Sequence, residues 1–270
     1  MRKQIAKILD NFLKKRQQIR IQATPRKEIV NLIRLLHPIK TEKELIRLGP
    51  EKDGGYLVPD DLEGIEACFS PGVYEITQFE YDCYNRGMKL FLADKSIKPP
   101  EINIPKDRYR FIEKYIGATN NNNFLTLDTW VKNSINNNES DLLLQMDIEG
   151  WEYFSLINVS NELLNRFRII VIEFHNLNHL WIPAFFNFAS ETFKKLLETH
   201  TCVHIHPNNA SAIYDFDGIE IPPLAEFTFY RNDRIKSKNF QTNFPNNLDF
   251  KNVESYADVR LPIIWYSTNL

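Results

Sequence analysis

Between Leu142 and Glu152 an apolar run, too short for a helix, meets three spaced carboxylates, Asp147, Glu149 and Glu152. Leu142 to Met146 reads as a strand buried on both faces. In an open α/β sheet, ligands bind in the crevice outside the carboxyl ends of the strands, so Asp147 and Glu149 would stand at the rim of a binding site. Gly150 lets the chain turn tightly there. A simpler role is open at this point: the same carboxylates would suit the N-terminus of a helix beginning near Trp151.

Other segments repeat the pattern. Apolar runs predict strands at 67–70, 89–93, 111–116, 142–146, 167–174 and 201–206, and an antiparallel-looking one at 225–230. Helical spacing falls between them at 79–87, 125–131 and 185–197. Alternating strands and helices imply an α/β fold, a doubly wound and mostly parallel seven-stranded sheet with helices on both faces. Gly72 turns the chain after the first strand and Asp94 closes the second, an interval near the ~20 residues over which such units hold a nucleotide-like ligand by its ribose. Residues 231–260 are polar and Asn-rich, a surface excursion, and 261–266 returns as an edge strand or packs on the core.

The N-terminus differs from the rest. Ile5, Ile8, Leu9, Phe12 and Leu13 predict one helix, and Ile29, Val30, Ile33 and Leu36 a second beyond Pro25. Residues 1–35 hold ten Lys/Arg against two acids, a local charge of +8, so the remainder carries −10 of the overall −2. We therefore expect a helical extension over 1–44, suited to a second copy, an acidic partner or a membrane surface, before a single domain over 45–270. The acidic remainder argues against nucleic acid as a partner. No run is long enough to cross a bilayer, no secretory leader is visible, and Cys68, Cys83 and Cys202 lack metal-site spacing. The expectation is a cytoplasmic protein with reduced thiols.

Several motifs then occur in a familiar order: Asp53-Gly54-Gly55-Tyr56, Ser70-Pro71-Gly72-Val73, Phe79-Glu80, Asp94, Pro99-Pro100, Asp147-Ile148-Glu149-Gly150-Trp151-Glu152, Val171-Ile172-Glu173-Phe174-His175, His204 to Asn209, and Phe227 to Arg231. Together they resemble the FkbM-like, class I S-adenosylmethionine-dependent methyltransferases over about residues 45–233. Tyr74 and Glu75 depart from the pattern, because that family has a second glycine in the first turn.

The resemblance implies a Rossmann-like methyltransferase fold, S-adenosylmethionine as cofactor, and an O-methyltransferase acting on a hydroxyl of a sugar or other small polar acceptor in glycan or natural-product assembly. Asp94 would bind the ribose, with Ser70 and Gly72 near the methionine portion and Asp53, Tyr56 and Asp147 also at the cofactor. His175, just past a buried strand, is the first candidate for general base, its ordinary pKa lying near neutrality. Asp147 and Glu149 are the alternatives, and a structural histidine bonded to a backbone carbonyl is the competing role. His206, Asn208 and Glu173 would line the acceptor pocket. The hard oxygens of Asp147, Glu149, Glu173 and Asn208 admit a divalent cation, but their spacing does not demand one and no metal is assigned. His204 and His206 are expected on opposite faces of their strand. Two other functions share these features: a noncatalytic binding or scaffold protein, and a dinucleotide-dependent oxidoreductase. The oxidoreductase is disfavoured because Gly72 stands outside any Gly-x-Gly-x-x-Gly pattern.

Overall fold

A computed structural model describes residues 14, 17, 20–74, 77–237 and 239–267. Helix α1 (Arg26–Leu35) precedes a hairpin of β1 (Leu45–Leu48) and β2 (Tyr56–Pro59). The chain continues through β3 (Ala67–Pro71), α2 (Gln78–Asn85), β4 (Lys89–Ala93), β5 (Tyr109–Ile112), the short strands β6 (Tyr115–Ile116) and β7 (Phe124–Leu125), and α3 (Leu127–Ser134). Then come β8 (Leu142–Met146), α4 (Glu152–Asn158), α5 (Asn161–Leu164), β9 (Phe167–Phe174), α6 (Pro183–Thr199), β10 (His200–Pro207), the hairpin of β11 (Tyr214–Phe216) and β12 (Ile219–Ile221), and β13 (Ala225–Arg231).

Seven strands form one sheet in the order β10-β13-β9-β8-β3-β4-β5. β13 is antiparallel to both its neighbours, and the other pairings are parallel. The arrangement is consistent with a methyltransferase fold. From β3 the chain steps outward through β4 to β5, then returns to β8 on the other side of β3. That reversal opens a crevice above the carboxyl ends of β3 and β8, where an α/β sheet binds ligands.

Side-chain alternation along the strands splits the core in two. Ala67, Phe69, Phe91, Leu142, Leu144, Ile170 and Ile172 pack with α1, α3, α4 and α6. Cys68, Leu90, Leu92, Leu143, Ile169 and Val171 meet Phe79 and Cys83 of α2 and Leu48, Tyr56 and Val58 of the β1–β2 hairpin. Among the described residues, α2 and the β1–β2 hairpin are thus what covers the second face. Sequence periodicity missed β1, because Leu45–Leu48 gains its apolar partners only by pairing with β2. Gly49 and Gly55 permit that hairpin: a Cβ on Gly49 would lie 2.4 Å from the Gly54 carbonyl oxygen, and one on Gly55 2.0 Å from that of Pro50.

The expected strand at 111–116 ends early at Ile112, where the Lys114 amide donates back to the Ile112 carbonyl and turns the chain off the sheet. Of the two alternatives for the C-terminal segment, core packing is realised: Trp265, in a single 3-10 turn, is fully buried and its Nε1 donates to the Glu220 carbonyl at 3.1 Å. The expected helix around Ile5 to Leu13 lies outside the described residues. α1 buries Ile29, Leu32 and Ile33 in the main core. Among the described residues no helix is long and apolar enough to cross a membrane.

Candidate active site

The crevice is a cavity of about 640 Å³ at the sheet's carboxyl edge. Its floor is built by a close contact between two strand ends. Gly72 adopts φ +87°, and a Cβ there would stand 1.5 Å from the Asp147 carbonyl oxygen. The Asp147 amide in turn donates to Pro71 O at 3.2 Å. The glycine that sequence reasoning assigned to close cofactor approach is therefore required first by the approach of the β3 turn to β8. Asp94, at the end of β4, lines the adjoining wall, its Oδ1 accepting from the Ser96 amide and hydroxyl at 2.5 and 2.6 Å. Asp53 comes in on the hairpin turn, which Arg47 braces by donating to the carbonyls of Pro50 and Lys52. Tyr74, Tyr115, Ile116, Phe124, Ile148 and Trp151 supply an apolar, largely aromatic wall, the kind of lining that buries a planar or ring-shaped ligand.

His175 stands one residue beyond β9. Its Nδ1 lies 3.1 Å from Glu152 Oε1, and its Nε2 lies 3.3 Å from Glu149 Oε2 and 3.9 Å from Asp147 Oδ1. Burial of the ring opposes its protonation, but the bond to Glu152 and the charges of Glu152, Asp147 and Glu149 outweigh it and raise the pKa to about 9. His175 is thus mostly an imidazolium at neutral pH. Asp147 shows the opposite balance. Its side chain is 28% exposed, yet Oδ1 is enclosed with no hydrogen-bond partner, and burial lifts the acid to about 7 against the attraction of His175. Glu149 holds a left-handed backbone, φ +56°, which is strained for a side chain of this size, and it reaches out to solvent.

Behind Asp147 lies a second group of acids. Glu173 and Glu226 sit opposite each other on β9 and β13, a like-charged cross-strand pair that is unfavourable when both ionise. Asp53 joins them, the three offering oxygens within 4.8 Å of one another. Burial and mutual repulsion push Glu173 well above the carboxylate range, and burial pushes Glu226 to about 8. Asn208 donates to Glu173 at 2.6 Å, and Asn252 donates to Glu226 at 2.6 Å and Asp53 at 3.0 Å. Among the described residues none of Asp53, Asp94, Asp147, Glu149, Glu173 and Glu226 has an ion pair with Lys or Arg. At the sheet's other edge the acids are paired: Asp141 with Arg168 and Arg231, both at 2.6 Å, and Asp61 with Arg234 at 2.8 Å.

The structure brings Asp53, Gly72, Asp94, Asp147 and Glu149 together on the cavity, with His175 in contact with two of them. It places others elsewhere. Ser70, expected at the cofactor, is fully buried and bonded to Glu80 and Gln145 at 2.5 and 2.7 Å. Tyr56, also expected there, is buried in the same network, accepting from Gln145 at 3.2 Å. Both stand behind the cavity because a buried hydroxyl needs a partner, and the interior supplies it. Glu173 and Asn208 form a buried pair rather than an exposed acceptor lining. His206 bonds the Phe250 carbonyl at 3.0 Å and lines a separate cavity of about 40 Å³. His204 and His206 share a face, at 2.8 and 3.7 Å from Asp249. The expectation of opposite faces fails because positions two apart on a strand point the same way.

Glu226 and Glu152 went unassigned in the sequence. The available signal for Glu226 was an acid inside the apolar run Ala225 to Tyr230, where ionised groups rarely stand without a partner or a function.

Residues 96–201 match the methyltransferase FkbM domain. No curated protein matches the chain significantly. The matched segment carries Ser96, the aromatic wall from Tyr115 to Trp151, Asp147, Glu149, Glu152 and His175, whereas Asp53, Gly72 and Asp94 precede it. It agrees with the resemblance drawn from the Asp147 to Glu152 motif and supports a methyltransferase.

Proposed function

We propose that this protein is an S-adenosylmethionine-dependent O-methyltransferase of the cytoplasm, acting on a hydroxyl of a small polar acceptor such as a sugar. One observation carries the reading: among the described residues the titratable groups lining the cavity besides tyrosines are all acids, set beside an aromatic wall within and next to the FkbM-matched segment. The residues fit an adenosyl ligand. Asp94 offers a carboxylate for ribose hydroxyls, the aromatic and isoleucine side chains offer flat apolar surface, and the acids, which outnumber the single imidazolium of His175 and have no Lys or Arg ion pair among the described residues, suit a positively charged sulfonium. S-adenosylmethionine, when bound, supplies an electrophilic methyl group.

The protein's own part is to position the acceptor and take its proton. A general base works best with a pKa near the working pH, which favours Asp147 over His175 as the atom that receives the hydroxyl proton. His175, held as an imidazolium, keeps Asp147 from rising further. Glu149 and Trp151 at the rim would contact the acceptor. Calorimetric titration with S-adenosylmethionine, S-adenosylhomocysteine and NADH tests the reading. We expect binding of both adenosyl ligands and none of NADH. Binding of NADH alone would favour an oxidoreductase, and binding of none of the three would favour a scaffold. Transfer of labelled methyl to a panel of neutral glycosides then tests the acceptor class.

A further inference from the structure

Glu152 closes the Asp-x-Glu-Gly-x-Glu motif and does not line the cavity, yet it is the most deeply enclosed acid near it, with no solvent exposure. A buried carboxylate is costly unless it is paired and hydrogen-bonded. A single oxygen meets that demand. Oε1 accepts from the amides of Ile148 and Gly150, each at 3.1 Å, and faces Nδ1 of His175 at 3.1 Å, while Oε2 has no partner. The two amides belong to the turn that places Glu149 and Gly150 at positive φ. The next residue completes the clamp, Tyr153 donating its hydroxyl to the His175 carbonyl at 3.0 Å.

We propose that Glu152 is a positioning residue of this site, holding the β8–α4 turn and the His175 ring together so that Nδ1–H is committed to Glu152 and Nε2 is presented to Asp147 and Glu149. An acid that merely capped α4 would bond the two amides and leave the ring free to choose its tautomer. Glu152 instead holds Nδ1 as the N–H of the neutral ring, because a carboxylate can only accept and its contact, at 3.1 Å and with no solvent exposure, is closer than those of Glu149 and Asp147 to Nε2 at 3.3 and 3.9 Å. The acids facing the ring are then divided: Glu152 from α4 on one nitrogen, Asp147 and Glu149 from the preceding turn on the other, with Glu173 of β9 beyond Asp147. The consequence for turnover rests on the methyltransferase reading, but the geometry does not.

Nitrogen-15 NMR of the imidazoles in the full chain tests it, His175 being assigned by comparison with His175→Ala. In the wild type, above the titration midpoint, the neutral ring should be the Nδ1–H tautomer. Glu152→Gln should lower the midpoint by about 1–3 in pH, the effect of losing an adjacent opposite charge, and Glu152→Asp should restore part of it. An Nε2–H tautomer in the wild type, or a midpoint unmoved in Glu152→Gln, would overturn the proposal. Should Glu152→Gln fail to fold, the wild-type tautomer and the Glu152→Asp midpoint decide alone. Calorimetry with S-adenosylmethionine on the same samples separates the two ideas, since loss of the methyltransferase reading would leave the NMR result standing.

Discussion

Replacing Glu226 by Gln should stabilise the ligand-free protein, and increasingly so as the pH rises. Glu226 is buried opposite Glu173, and its folded-state pKa of about 8 lies well above the ordinary 4.5. The native protein therefore holds a proton that the unfolded chain has released, so stability falls as pH climbs from about 4.5 towards 8. At pH 7 the native carboxyl remains mostly protonated while the unfolded one is ionised, a difference worth up to about 3 kcal/mol. Glutamine keeps the shape and the acceptor for Asn252 but does not titrate. Its extra N–H must find a partner near Asp53, so we expect about 1–3 kcal/mol of net gain, or roughly 2–5 °C in Tm. Thermal and urea unfolding of both proteins at about pH 5.5 and about pH 8.5 measures it, with the gain confined largely to the higher pH. Equal gains at both values, or a loss at the higher one, would show that the acids at this edge are not the source of the strain.

Three further outcomes follow from the site. Gly72→Ala, placing a Cβ 1.5 Å from the Asp147 carbonyl at φ +87°, should cost on the order of 3–5 kcal/mol in urea unfolding, and a near-neutral value would refute the tight β3–β8 contact. Asp94→Ala should weaken S-adenosylmethionine by ~1.5–3 kcal/mol in calorimetry with the fold intact; unchanged affinity would remove Asp94 from the ribose. Asp147→Asn should lose ~10²–10⁴-fold in turnover while keeping its affinity for S-adenosylhomocysteine, which lacks the sulfonium charge, and a chelator should leave the wild-type rate unchanged; sensitivity to the chelator would point to a metal-activated hydroxyl instead.

The parts of this fold that were legible in the sequence are those whose energetics are local. β8 and β9 announce themselves as predominantly apolar runs because both faces are buried, and their bounds agree with those expected. The antiparallel β13 was likewise visible. β1 was not, since Leu45–Leu48 becomes a strand only through β2, across a turn whose glycines are demanded by contacts between residues apart in sequence. The same distinction governs the site. Gly72, Asp94, Asp147 and Glu149 follow strand ends and could be placed from position alone. Ser70 follows the same logic but turns inward to Glu80 and Gln145, and His206 is drawn away by the Asp249 segment, 43 residues further along the chain. Neither partnership has a local signature.

What most separates function from structure here is how each edge of one sheet treats its acids. At the amino edge of β8, Asp141 meets Arg168 and Arg231, and nearby Asp61 meets Arg168 and Arg234. Opposite charges within hydrogen-bond reach hold these carboxyls below their ordinary range despite burial. At the carboxyl edge, Glu173 and Glu226 are buried and Asp147 is half-buried, none of them in an ion pair with Lys or Arg among the described residues, and all three are raised instead, Asp147 even beside the His175 imidazolium. Burial alone does not distinguish the two sets; the direct guanidinium contacts of the first do. A chain under pressure only for stability would gain by placing an arginine, or an apolar residue, among the second set. Retaining several repelling acids at the one edge where a parallel sheet opens to ligands makes sense if a positive charge completes the site from outside. A sulfonium is such a charge, and the reading then predicts that S-adenosylmethionine should bind more tightly than the neutral S-adenosylhomocysteine as Asp147 and Glu226 ionise between about pH 6 and pH 9. A ratio of the two affinities that stays flat over that interval would separate the acid cluster from the cofactor.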